Sequence, residues 1–159
     1  LLKSSKVPLV IDADALNLLA MNRELLKHIP ENSVLTPHLG ELKRLTGEWD
    51  CAEDRIRRIT DLSSETKSVI VVKGAHTAVC RPDGKIYFNS TGNPGMAKGG
   101  SGDVLTGLIT GLLARGYGSF EASVLGVYFH GYAGDRACEK YGRESMNSFD
   151  LLEFLKIQF

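Results

Sequence analysis

Charge of one sign, long apolar runs and paired cysteines are all missing from this chain. Lysine plus arginine equal aspartate plus glutamate at 19 each, so the formal net charge is zero. No stretch is a basic block. Nucleic-acid binding needs a concentrated positive footprint, so no such partner is expected. No apolar run approaches the ~20 residues that a membrane-crossing helix needs. No basic segment precedes an apolar one in the manner of a signal peptide, and no membrane partner is expected. The three cysteines, Cys51, Cys80 and Cys138, are odd in number, far apart and form no C-x-x-C pair. That spacing argues against a disulfide scaffold or a zinc site, and it fits a reducing cytoplasm. Internal repeats, linkers and low-complexity segments are absent as well.

What is present suits one domain, or most of one, with a real core. The sequence begins at Leu1 rather than Met. It ends at Phe159, within an apolar stretch holding Leu151, Leu152, Phe154, Leu155 and Ile157. It reads as a piece of a longer protein.

Short apolar runs predict buried strands at residues 8–11, 33–36 and 68–72. The last, with Val69, Ile70, Val71 and Val72 in a row, has the composition of a parallel strand covered on both faces. Residues 77–80 and 86–88 flank Pro82-Asp83-Gly84 and read as a hairpin. Helices are expected at residues 14–22, with Asp14 as N-cap, and at 38–46, with Leu39, Leu42 and Leu45 on one side. Another is expected over residues 51–65, where Ile56, Ile59 and Leu62 form the buried stripe and Arg55, Arg57 and Arg58 a solvated face. After a glycine-dense loop at 89–100, Leu105, Leu108, Ile109, Leu112 and Leu113 keep helical spacing. Gly107 and Gly111 on its other side suggest close packing on a neighbour. Residues 120–138 are apolar nearly all round, which suggests a deeply buried helix, and a last helix starts near Ser148. Strands alternating with helices argue for a three-layer α/β/α domain with a mostly parallel sheet. Ligands of such sheets bind beyond the carboxyl ends of the strands.

The most informative stretch is NPGMAKGGSGD, Asn93 to Asp103. Its glycines let backbone N–H groups approach a ligand, and the helix that follows supplies free N–H donors and partial positive charge. This is a phosphate site in outline. It is not a Walker A loop, because no G-K-[ST] follows the glycines. It is not a dinucleotide fingerprint, because Leu105 stands where the third glycine belongs. Asp103 is odd in a phosphate loop. Either it caps the helix and complements its dipole, or it is a general base beside an anion hole, as phosphoryl transfer to an alcohol requires. His130, in an apolar helix, reads as a satisfied core residue.

Gly100-Ser101-Gly102-Asp103 resembles the G-x-G-D signature of ribokinase-like kinases. The longer run from Asn93 to Asp103 is similar to the ADP-dependent NAD(P)H-hydrate dehydratases of that superfamily. Upstream segments agree. VIDADALN, Val10 to Asn17, resembles the family's strand-to-helix crossing, with Asp12 and Asn17 candidates to line the site. TPHLGE, Thr36 to Glu41, resembles its T-P-H-x-G-E segment, with Leu39 where proline is more usual. KGAHT, Lys73 to Thr77, resembles its K-G-x-x-T nucleotide loop.

The resemblance implies a ribokinase-like fold whose first third lies upstream of Leu1, and an activity that restores hydrated NADH and NADPH. ADP phosphorylates the hydrate's hydroxyl and phosphate then leaves. Asp103 would be the catalytic base. His38, Asn17 and Asp103 would meet the substrate. Lys73, Gly74, Ala75, His76, Thr77, Asn93, Gly99, Gly100, Ser101 and Gly102 would hold the nucleotide. Glu41 would help order Mg2+, the expected cofactor alongside ADP. A homo-oligomer and an epimerase domain fused upstream are further implications. A vitamin-precursor or sugar kinase of the same superfamily, and a non-catalytic nucleotide-binding module, are the alternatives. On this reading residues 1–159 alone, assayed for phosphate release beside the full-length protein, are expected to show little or no activity. Equal rates would overturn the expectation.

Overall fold

The computed structural model describes residues 2–155; Ile157 and Phe159 of the expected apolar end lie outside them. The strands are short: β1 (Val10–Ile11), β2 (Val34–Leu35), β3 (Val69–Val72), β4 (Ala78–Cys80) and β5 (Ile86–Phe88). They form a single sheet in that order. β1, β2 and β3 pair in parallel, with Val10 opposite Val34 and Val34 opposite Val69. β4 and β5 close the sheet as the antiparallel hairpin that the Pro82-Asp83-Gly84 turn predicts.

β3 shows why the sheet is a middle layer. Its residues are all buried, and alternation sends neighbours to opposite faces. Ile70 and Val72 join Ile11, Leu35, Leu42, Ile59 and Leu62 in one core cluster. Val69 and Val71 join Val34, Val79, Leu105, Ile109 and Val127 in the other. The first face is covered by helices α1 (Asp14–Met21), α2 (Leu39–Thr46) and α3 (Ala52–Thr66), with a 3-10 turn at Arg23–His28. Those helices lie in the crossovers between successive parallel strands. A right-handed crossover repeated in one direction across a sheet puts its helices on one face. The second face is left for α4 (Ser101–Ala114) and α5 (Ser119–Tyr141), which follow the hairpin. A satellite cluster of Ala133, Ala137, Met146 and Leu151 seats α6 (Ser148–Phe154) against the end of α5.

The structure corrects several local expectations. Asp14 is not an N-cap: Ala13 holds that position at φ 52, with no side-chain cap bond, and Asp14 is the first helical residue. Ile56 is 38% exposed rather than part of the buried stripe. α5 is not buried all round. Ala122, Gly126, His130, Ala133, Gly134 and Ala137 make its inner face, while Tyr128 and Tyr132 stand half-exposed and stacked outside. Tyrosine counts as apolar in a sequence pattern, yet its hydroxyl favours a wet edge.

The close helix packing expected at Gly107 and Gly111 lies elsewhere. A Cβ on either would meet nothing within 4 Å. A Cβ on Gly126 of α5 would come 2.7 Å from Ile109 Cγ1 of α4. The glycine that permits contact belongs to the partner helix. Gly126→Ala should therefore destabilise the chain by about 1–3 kcal/mol through overpacking. Gly107→Ala, in an open helical position, should stabilise it by about 0.5–1 kcal/mol. Urea melts of the two variants check both signs.

Candidate functional site

Parallel strands bring their carboxyl ends to one side of the sheet. Asp12, the segment from Thr36 to His38, and Lys73 consequently meet. The ladder runs one step past β2 and β3: Lys73 N–H donates to the Pro37 carbonyl at 2.8 Å, and His38 and Lys73 form a parallel bridge.

His38 is the N-cap of α2. Its Nδ1 accepts from the N–H groups of Gly40 and Glu41, and Glu41 Oε2 accepts from His38 N–H at 2.8 Å. This reciprocal capping box buries Glu41 and leaves the His38 side chain half-exposed. The carboxylate that the resemblance offers to Mg2+ is thus turned onto His38, with Glu41 Oε1 3.4 Å from His38 Nε2. Among the described residues, no cluster of three or more histidine, cysteine, aspartate or glutamate side chains could hold a metal ion. Asn17 is turned aside as well: its Oδ1 accepts from Arg44 Nη1 at 3.0 Å.

Asp12 is a junction. Lys73 Nζ lies 2.6 Å from its Oδ1, which also accepts from Ala13 N–H at 2.8 Å. Thr106 of α4 donates its hydroxyl to Oδ2 at 2.8 Å. Burial by itself would raise the carboxyl's pKa, but the Lys73, Thr106 and Ala13 bonds together outweigh it and hold the pKa below its ordinary value.

The glycine loop is fastened to α5. Asp135 accepts from Gly92 N–H and from Asn93 Nδ2, both at 2.9 Å. Asn93 Oδ1 in turn accepts from Gly95 N–H. Any side chain on Gly131 would strike Thr91, and any on Gly134 would strike Met96. Lys98 donates to the carbonyls of Glu144 and Met146, tying the loop to the approach to α6. Gly100, at φ 88, turns the chain into α4 and provides no side-chain cap. Ser101 N–H donates to the Lys98 carbonyl at 3.3 Å, while no side chain among the described residues caps the N–H groups of Gly102 and Asp103, which are suited to an anion. Beneath them His130 is 9% exposed, its Nε2 2.9 Å from the Ser101 carbonyl.

These elements enclose a cleft of about 870 Å³ lined by Lys73, Gly74, Ala75, His76, Thr77, Asn93, Ser101, Gly102 and His38. Thr77 closes the 73–77 turn on itself, its hydroxyl donating to the Gly74 carbonyl at 3.2 Å. Gly99, Gly100, Asp103, Asn17 and Glu41 are outside the lining. Gly99 and Gly100 lead into α4, and Asp103 stands exposed in its first turn. Asp12, Glu41 and Asp135 are each committed to hydrogen bonds. Asp103 accepts none from another described residue.

Sequence reasoning missed Thr106, Asp135, Thr91 and Met96. Gly131 and Gly134 in the middle of a buried helix were the available signal for a close approach. Nothing in the spacing announced Asp135. His130 is the buried, hydrogen-bonded residue expected, and it also lines the cleft.

Burial lowers the His130 pKa below 6.5, against the opposing Ser101 bond. The unfolded chain then takes up a proton that the folded chain excludes. Stability from this residue is complete above about pH 6.5 and declines as pH falls below it, by up to about 1.4 kcal/mol per pH unit for one proton. His130→Gln should flatten that part of the pH profile. A profile unchanged by the substitution would show that another group sets it.

A family model described as NAD(P)H-hydrate dehydratase matches residues 1–156. The bifunctional NAD(P)H-hydrate repair enzyme Nnr of Moorella thermoacetica is 47% identical over 157 residues, covering 98% of this chain and 30% of that protein. The ADP-dependent (S)-NAD(P)H-hydrate dehydratase of Neisseria meningitidis is 42% identical over 139 residues, 85% of this chain and 47% of that one. The chain thus spans less than half the length of these curated relatives. The crystal structure of the ADP/ATP-dependent NAD(P)H-hydrate dehydratase from Bacillus subtilis, co-crystallised with ATP and Mg2+ and soaked with CoA, superimposes with a TM-score of 0.81. Identity is 30%, over 96% of this chain and 56% of that one. With a cleft at the strand ends, a glycine loop feeding α4 and an exposed Asp103 in its first turn, matched over residues 1–156 by that family's model, the chain belongs to the NAD(P)H-hydrate dehydratase family.

Proposed function

We propose that the whole protein carrying this chain uses ADP to dehydrate hydrated NADH and NADPH. The observation that carries the reading is the pairing of the uncapped first turn of α4 with Asp103 in that same turn. An anion hole and a free base side by side are what phosphoryl transfer to a hydroxyl needs.

ADP lies along the cleft, its phosphates between Lys73 and the Gly100–Gly102 backbone. Gly74, Ala75, His76 and Thr77 flank it on one side and Asn93 on the other. The hydrate presents its ring hydroxyl to Asp103, which accepts the proton as the oxygen attacks the terminal phosphorus. The bond to the AMP oxygen breaks. The carbon–oxygen bond of the phosphorylated hydrate then breaks, phosphate leaves with the electron pair, and loss of a ring proton restores the double bond. Phosphate is a far better leaving group than hydroxide, which is why a kinase scaffold serves a lyase.

His38, half-exposed at the start of α2, is assigned to the substrate side. Asn17, bonded to Arg44, would serve only after exchanging that partner. Magnesium brought by ADP supplies neutralisation of phosphate charge. It is normally held by few carboxylates plus phosphates and water. Glu41, now bonded to His38, would help hold it beside the phosphates. A homo-oligomer, a cytoplasmic location and an epimerase domain on the same polypeptide complete the proposal.

The test is a restoration assay on the full-length protein with NADPH hydrate, comparing ADP with ATP. Wild type should regain NADPH absorbance and release phosphate with ADP. Asp103→Ala should lose about 10²–10⁴-fold in rate with folding intact. Accumulation of a stable phosphorylated product without phosphate release would assign the site to a kinase instead.

A further inference from the structure

Lys73 has a partner that a phosphate-binding lysine does not need. Its ammonium lies 2.6 Å from Asp12 Oδ1, with side chains only 21% and 10% exposed. It also rests against the first turn of α4, where a Cβ on Gly102 would lie 3.4 Å from Nζ and 3.7 Å from Asp12 Oδ2. A cation is poorly placed at a helix N-terminus, because the dipole's positive end repels it. Something must hold it there, and Asp12 supplies the opposite charge.

Asp12 is itself held from separate elements. Ala13 N–H, at the N-cap of α1, fixes Oδ1. Thr106, one turn into α4, fixes Oδ2. Each carboxylate oxygen is thus used, and the carboxylate has little freedom to follow Lys73 if the lysine swings away. Lysine is a flexible point charge on a four-carbon stem. A fixed acceptor at one end of its reach converts it into an oriented one. An ammonium has three N–H donors, so the bond to Asp12 leaves others for a phosphate oxygen.

We infer that Asp12, locked by Thr106, is a positioning residue that aims Lys73 at the anion site on α4. The inference rests on the reading of the cleft as the ADP site. Asp12 touches no reacting atom; it acts through Lys73. Thr106 couples the lysine to the same helix whose first turn meets the phosphates. Cation and N–H donors are thereby kept in one frame. Without that coupling the ammonium would search many rotamers, and each ADP molecule would have to order it on binding.

The experiment uses the full-length protein and compares wild type with Asp12→Asn, Thr106→Val and Thr106→Ser. Asp12→Asn keeps the shape and removes the charge; Thr106→Ser keeps the hydroxyl. Steady-state rates at varied ADP are measured with melting temperatures. In parallel, Lys73 is mapped by mass spectrometry after brief treatment with an amine-acylating reagent. Asp12→Asn and Thr106→Val should raise KM for ADP about tenfold while kcat stays within about twofold. Thr106→Ser should behave as wild type, and Lys73 should be acylated faster in Asp12→Asn than in wild type. An unchanged KM in Asp12→Asn overturns the inference while leaving the proposed function intact. So does a Thr106→Ser variant as impaired as Thr106→Val, with loss following melting temperature. Absence of ADP-dependent turnover in wild type would instead sink the proposed function, and this inference with it.

Discussion

The site depends on how closely one helix can approach a loop. α5 presents glycine at positions 126, 131 and 134 toward α4, Thr91 and Met96, and at each a Cβ would collide. The same helix face carries His130 and Asp135, which bond to the first turn of α4 and to the glycine loop. Backbone contact and polar fastening come from one surface. Larger residues there would push α5 away, and the loop would lose its anchor along with its packing.

The sheet provides the opposite wall by simpler means. Three parallel strands end at one level, so their carboxyl termini deliver Asp12, His38 and Lys73 without special devices. Rigid strands set the height of these side chains, and hydrogen bonds set their direction. A buried thiol at Cys80, its pKa pushed up to about 11 chiefly by desolvation, adds no chemistry of its own.

Much of this was legible in the residues. The run Val69 to Val72 declares a strand covered on both faces, and it is. Pro82-Asp83-Gly84 declares the hairpin. The 93–103 segment declares a glycine loop opening a helix, and its glycines do lead into α4. What could not be read was the partnership between distant side chains. Asp12 lies 61 residues from Lys73 and 94 from Thr106, and Asp135 lies 43 from Gly92. No local period encodes such pairs. Glycine was misread for a related reason: Gly107 and Gly111 have the spacing of a packing face, but whether a neighbour arrives is a property of the neighbour. The tyrosines of α5 misled in the same way, because a pattern weighs their rings and not their hydroxyls.

Lys98 donates to carbonyls at the approach to α6, while Asp135 and Asn93 occupy the amides of Gly92 and Gly95. A glycine-rich segment has more conformational freedom to lose than any other. Here that loss falls on folding rather than on capture of a ligand. Under the proposed function, the binding free energy of a nucleotide can accordingly go into discriminating among phosphate chains and bases instead of into ordering the peptide around them.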